Sequence, residues 1–98
     1  MASLFTARTT GGAGTGASHS GPCTVFVTGT FDGREDITIE VASADTDALY
    51  VKADKSIMRE SRFSSKGCCT LNAYGTYYVR AVLSNPQATS SVTVVTTQ

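Results

Sequence analysis

The chain has 98 residues, with eight Lys plus Arg against eight Asp plus Glu, so it is sized for one small domain of zero net charge. Only 16% of residues are charged, which argues against the basic excess of a nucleic-acid binder and the polybasic stretch of a membrane anchor. No apolar run reaches the roughly 18–20 residues of a membrane helix, the opening residues do not read as a secretory signal, and a hydrophobic fraction of 41% suits a folded domain.

Leu4 to Thr10 is predicted as a short β-prone segment with Phe5 as its largest apolar side chain. Gly11 to Pro22, rich in Gly and Ser, reads as a linker. Residues 1–21 are therefore expected to form a flexible N-terminal arm, and residues 22–98 the folded domain. Gly12, Gly14 and Gly16 are not followed by a helix pattern or a Lys-Ser/Thr pair, so they do not make a phosphate loop. Ser18 and Ser20 miss the register of a nucleophile elbow.

From Cys23 the pattern turns to period two. Cys23, Val25 and Val27 share one face and Thr24, Phe26 and Thr28 the other. Asp32-Gly33 signals a turn. Ile37, Ile39 and Val41 then alternate with Asp36, Thr38 and Glu40, a face expected to be wet. Ala44 to Asp47 reads as a loop, Leu49 to Ala53 as a short strand, and the charged stretch Asp54 to Arg62 as an irregular or edge segment. Phe63 to Leu71 is weakly β-prone. Asn72 to Gly75 forms a corner, and Tyr77, Val79, Ala81 and Leu83 mark the core side of the next strand. Ser84 to Ala88, with its Asn-Pro pair, is a turn. The last strand, Thr89 to Thr97, turns Val92 and Val94 to one side.

About seven short strands separated by turn signals at intervals of about 8–14 residues predict an all-β fold, an antiparallel sandwich or small barrel, with a single antiparallel β-sandwich favoured. Gly75-Thr76-Tyr77-Tyr78-Val79 resembles the corner of an immunoglobulin-like sandwich, where a tyrosine hydroxyl ties back to the backbone. Val79 stands where antibody domains carry cysteine, and the chain has no Trp.

Chemistry-bearing residues are few. Cys23, Cys68 and Cys69 are expected to be free thiols, with a bridge from Cys23 to either partner left open. Together with His19, the single histidine, they would just number a zinc set, but Cys68 and Cys69 point to opposite faces of a strand. Asp45 and Asp47 fall far short of a calcium loop. Asp32, Glu35, Asp36 and Glu40 are expected to be solvated, and no credible acid/base or nucleophile pair emerges. No enzyme activity, cofactor or metal is expected.

The strand from Gly21-Pro22-Cys23 to Phe31-Asp32-Gly33, the alternation Ile37 to Val41, the stretch Gly75 to Ser84 and the closing Ser91-Val92-Thr93-Val94 occur in that order. Together they resemble the small all-β virion structural proteins of tailed bacteriophages, over residues 21–98. Leu49-Tyr50-Val51 stands where many members carry a Trp. The resemblance implies a capsid decoration or cement protein that binds and stabilises the head lattice, or else a neck or tail component. It implies localisation to the virion after assembly in the host bacterial cytoplasm. The implied partners are the major capsid protein or other virion proteins and further copies of the chain, a trimer being one arrangement, with neither nucleic acid nor membrane. Leu4, Phe5, Phe26 and Tyr78 are the expected partner-contact residues. The alternative from another class is an adhesion or carbohydrate-binding module using Tyr50, Tyr74, Tyr77 and Tyr78.

Overall fold

Period-two alternation carries directly into burial. Cys23, Val25, Val27, Ile37, Ile39, Tyr77, Val79, Ala81, Leu83, Val92 and Val94 are all buried in one apolar cluster, whereas Val41 is only partly covered. The computed structural model describes residues 2–98. Among them lie ten strands: β1 (Ala2–Arg8), β2 (Gly12–Ala13), β3 (Ala17–Ser20), β4 (Cys23–Thr30), β5 (Asp36–Ala42), β6 (Val51–Lys52), β7 (Arg62–Phe63), β8 (Gly67–Leu71), β9 (Thr76–Ser84) and β10 (Ser91–Thr97). Where a strand over Leu49 to Ala53 was expected, a single 3-10 turn at Asp47–Leu49 precedes the two-residue β6.

Two antiparallel sheets enclose the core. Sheet A runs β1-β10-β4-β8. In sheet B the central pair is β9 and β5; β2 and β3 share the free edge of β9, while β6 and β7 share that of β5. Counting each shared edge as one position gives eight strands. Successive positions cross from one sheet to the other at every step except β5 to β6 and β7. This winding is the strand order of a jelly roll. An immunoglobulin-like sandwich instead keeps its last two strands side by side in one sheet, whereas β9 and β10 lie in different sheets. The Tyr77 hydroxyl does reach backbone, but it donates to the Gly21 carbonyl at 2.8 Å, 56 positions away in sequence, and not back to the backbone of its own corner.

The expected N-terminal arm is part of the sandwich. β1 is the edge of sheet A, paired to β10 with Phe5 opposite Val94. A register shift between Ser3 and Phe5 breaks the alternation there, and both Leu4 and Phe5 are buried. The Gly-rich stretch supplies the edge of sheet B, with Gly12 opposite Leu83 and Ala17 opposite Val79. Its glycines permit close approach rather than freedom. A side chain at Gly14 would collide with the Leu4 carbonyl and the Phe5 ring, while one at Gly16 would collide with the Tyr50 hydroxyl and Asp45. One edge segment thus admits Phe5 at one glycine and Tyr50 at another.

Candidate interaction surfaces

Polar side chains that looked available for chemistry are engaged in holding the frame. Glu35, expected in solvent, is 1% exposed. Its carboxylate accepts from the Asp32 and Gly33 backbone N–H groups, each at 2.8 Å, and from the Ser90 hydroxyl. Ser90 in turn accepts from the Gln87 N–H at 2.7 Å. Glu35 therefore fastens the β4–β5 connection to the β9–β10 connection, and both of these cross between the sheets. Burial alone would raise its pKa, but the hydrogen bonds from Ser90 and the backbone outweigh that and lower it to about 2.

His19, placed in the linker by its sequence context, is buried on β3. Its ring nitrogens lie 2.6 Å from Thr96 Oγ1 and 3.2 Å from Gln98 Oε1. The three cysteines are free thiols: Cys23 buried, Cys69 partly covered, Cys68 exposed. Val25 pairs with Cys69 and Phe26 with Cys68, so adjacent thiols fall on opposite faces of β8. Burial raises the Cys23 thiol pKa against a lowering hydrogen bond from Tyr77, and burial likewise raises the Tyr77 phenol.

On the outer face of sheet B, Arg80 reaches Glu40 at 2.8 Å and Asp47 at 2.6 Å, and its guanidinium lies 4.1 Å from the centre of the Tyr50 ring. The Tyr50 hydroxyl donates to Asp45 at 2.7 Å. Asp45 and Asp47, weighed as a metal pair, thus serve Tyr50 and Arg80 separately. The 43–50 loop is held over this face by the Tyr50–Arg80 cation–π contact and the Asp47 carboxylate.

Among the described residues, no ion pair or cation–π contact holds a loop over the outer face of sheet A. Across its four strands, Ser3, Val95, Phe26 and Cys68 stand opposite one another in a single row. Phe26 is 37% exposed. Threonines flank the row, with Thr24 opposite Thr97 and Thr70, and Thr28 opposite Thr93.

The expected contact residues therefore separate. Leu4 and Phe5 are core, contrary to expectation, because β1 is a paired strand. Phe26 is accessible on sheet A. Tyr78 is half-buried on the outer face of sheet B, opposite Ala42 and Ser18. No single surface contains all four.

A second exposed apolar area was missed. Leu49 is 46% exposed and Val51 61%, and with Val41, Ala73 and Tyr77 they line a depression of about 320 Å³ at the end of the sandwich. Two apolar residues flanking Tyr50 were its only signal, and they also fit an ordinary half-buried strand. Of the tyrosines considered for glycan stacking, Tyr50 and Tyr77 are buried and Tyr74 is 79% exposed. Among the described residues no helix is long and apolar enough to cross a membrane. No known protein family, curated protein or solved structure matches the chain.

Proposed function

We propose that the chain is a non-enzymatic structural protein of the bacteriophage virion, a decoration or cement protein that binds the head lattice through the outer face of sheet A. The observation that carries this reading is the Val95–Phe26–Cys68 row, an apolar strip on a sheet whose opposite side is already packed. The sequence resemblance to small phage virion proteins supports it. So does the strand order, since jelly rolls build many viral coat proteins, although a fold alone does not assign a function. Each copy offers a small contact, and repetition over a lattice turns many weak contacts into firm attachment.

The partner is then the major capsid protein, with further copies of the chain, a trimer among the possible groupings, around the lattice axes. A neck or tail position uses the same surface on a different neighbour. The glycan-binding alternative retains Tyr74, which is open to solvent, and jelly rolls also build lectins. Cryo-electron microscopy of particles containing the chain tests the proposal. Density at regular positions on the head supports it; density below the portal supports the neck reading. A chain missing from every particle fraction, or a purified chain that binds glycans with the affinity of a lectin, overturns it.

A further inference from the structure

The edge of β5 in sheet B is divided between two short strands, and the division opens a cleft. β6 pairs with Glu40 and Val41, and β7 with Ile37 and Thr38. Between them, Ile39 donates to the Ser61 carbonyl at 2.8 Å and accepts from the Ala53 N–H at 3.0 Å. The chain leaves this edge after Ala53 and rejoins it at Ser61. The excursion is fixed by Asp54, whose carbonyl accepts from Ile57 and Met58 and whose carboxylate accepts from the Ser56 N–H and hydroxyl. Met58 is buried and bridges to Leu71 of β8, which closes the side of the sandwich. What remains outside is a cleft of about 510 Å³ with Ala53 and Ser61, both buried, among its lining.

Zero net charge conceals a strong asymmetry. Residues 52–66 carry five cations against two anions, a net +3, and the remainder carries three cations against six anions, a net −3. The six acids elsewhere are occupied: Asp32 faces Arg34, Asp36 holds Arg62, Glu40 and Asp47 share Arg80, Asp45 accepts from Tyr50, and Glu35 is buried under Ser90. Lys52, Lys55 and Arg59 line the cleft beside two acids, Glu60 and Asp54, the latter engaged by Ser56, and among the described residues none of the three cations has a carboxylate within ion-pair distance. Arg62 also lines it, but its guanidinium is held by Asp36 at 2.6 and 3.0 Å, which makes it a fixed wall.

We infer that this cleft is a binding site for an oxyanion group, phosphate or sulfate, free or carried as an ester on a small ligand. Lys52 and Lys55 supply point charges, Arg59 a planar fork suited to two oxygens, and Ser61, a buried residue of the lining, a hydroxyl. The site is independent of the sheet A surface and of the structural role proposed above.

A ¹⁵N-edited NMR titration tests it, using inorganic phosphate, inorganic sulfate and glucose 6-phosphate, each at ionic strength held constant with chloride. The expected result is saturable shifts confined to residues 52–62, with phosphate and sulfate competing. Lys55→Ala and Arg59→Ala each weaken binding about tenfold, the scale of one lost charge-assisted hydrogen bond. Both side chains are exposed, so these variants keep the wild-type spectrum, and Arg34→Ala binds as the parent does. Tighter binding of glucose 6-phosphate identifies an ester ligand, and equal binding of all three identifies the free anion. Shifts that follow ionic strength alone, that spread over all cations, or that persist unchanged in Arg59→Ala overturn the inference.

Discussion

The two sheets treat their outer faces differently. Sheet B carries Glu40, Arg80 and Tyr78 outward, and the 43–50 loop folds back so that Tyr50 lies over Arg80. Sheet A carries Phe26 and Val95 outward among threonines, and Phe26 stays more than a third exposed. Both faces follow from the same alternation, yet among the described residues only the sheet B face is covered by a loop of its own chain. A charged face can be closed by opposite charges from a neighbouring loop. An apolar row flanked by threonines offers no ionic partner to such a loop and remains available to another molecule. This difference is the reason the proposed contact is placed on sheet A.

The largest effect comes from loosening what the two sheets share. Glu35→Ala leaves two backbone N–H groups and the Ser90 hydroxyl without their acceptor, and is expected to cost about 3 kcal/mol in urea unfolding. The same bond sets an acid limit. The folded carboxyl titrates near 2 and a free one near 4.5, so its stabilisation is complete above about pH 4.5 and is lost as pH falls toward 2. Glu35→Gln is expected to flatten that slope in a series of unfolding midpoints against pH.

Next is Gly14→Ala, which drives a methyl group into the Leu4 carbonyl and the Phe5 ring. About 2 kcal/mol is expected from overpacking, read as a drop in thermal midpoint of roughly 10 °C. Gly16→Ala meets only the movable ends of Tyr50 and Asp45 and is expected to cost less, with the loss confined to the loop over sheet B. Arg80→Met then strips that loop of its cation. An expected cost of about 1 kcal/mol, together with faster amide exchange over residues 43–50, would show that the cover on sheet B is electrostatic.

The smallest effect on folding is expected at the exposed row. Phe26→Ser is expected to cost about 1 kcal/mol or less, the scale of lost strand propensity and cross-strand contact at a position 37% exposed, while removing the apolar centre of the proposed contact. A large loss of stability there would show that the face is structural, and the contrast between the sheets would fall.

The strands were legible wherever burial follows a period of two, as in β4, β9, β10 and the first part of β5, where the alternation lapses at Val41 and Ala42. Phe26 was legible as outward-facing for the same reason. Leu4, Phe5 and the glycine stretch were not, because their partners lie far along the chain: Val94 for Phe5, Val79 for Ala17. Glycine composition is the same whether it provides freedom or makes room for a ring. Glu35 looked like a loop acid because its tie to the other connection runs through Ser90, 55 positions away. The cations of residues 52–66 were visible as charge, but the cleft exists only because β6 and β7 divide one strand edge.

The central claim is that the bare face of sheet A is where this protein attaches. Co-sedimentation of the parent and Phe26→Ser with phage heads lacking the chain measures it directly. The account expects the parent to pellet with the heads and the folded variant to stay in the supernatant; equal pelleting of the two would contradict it.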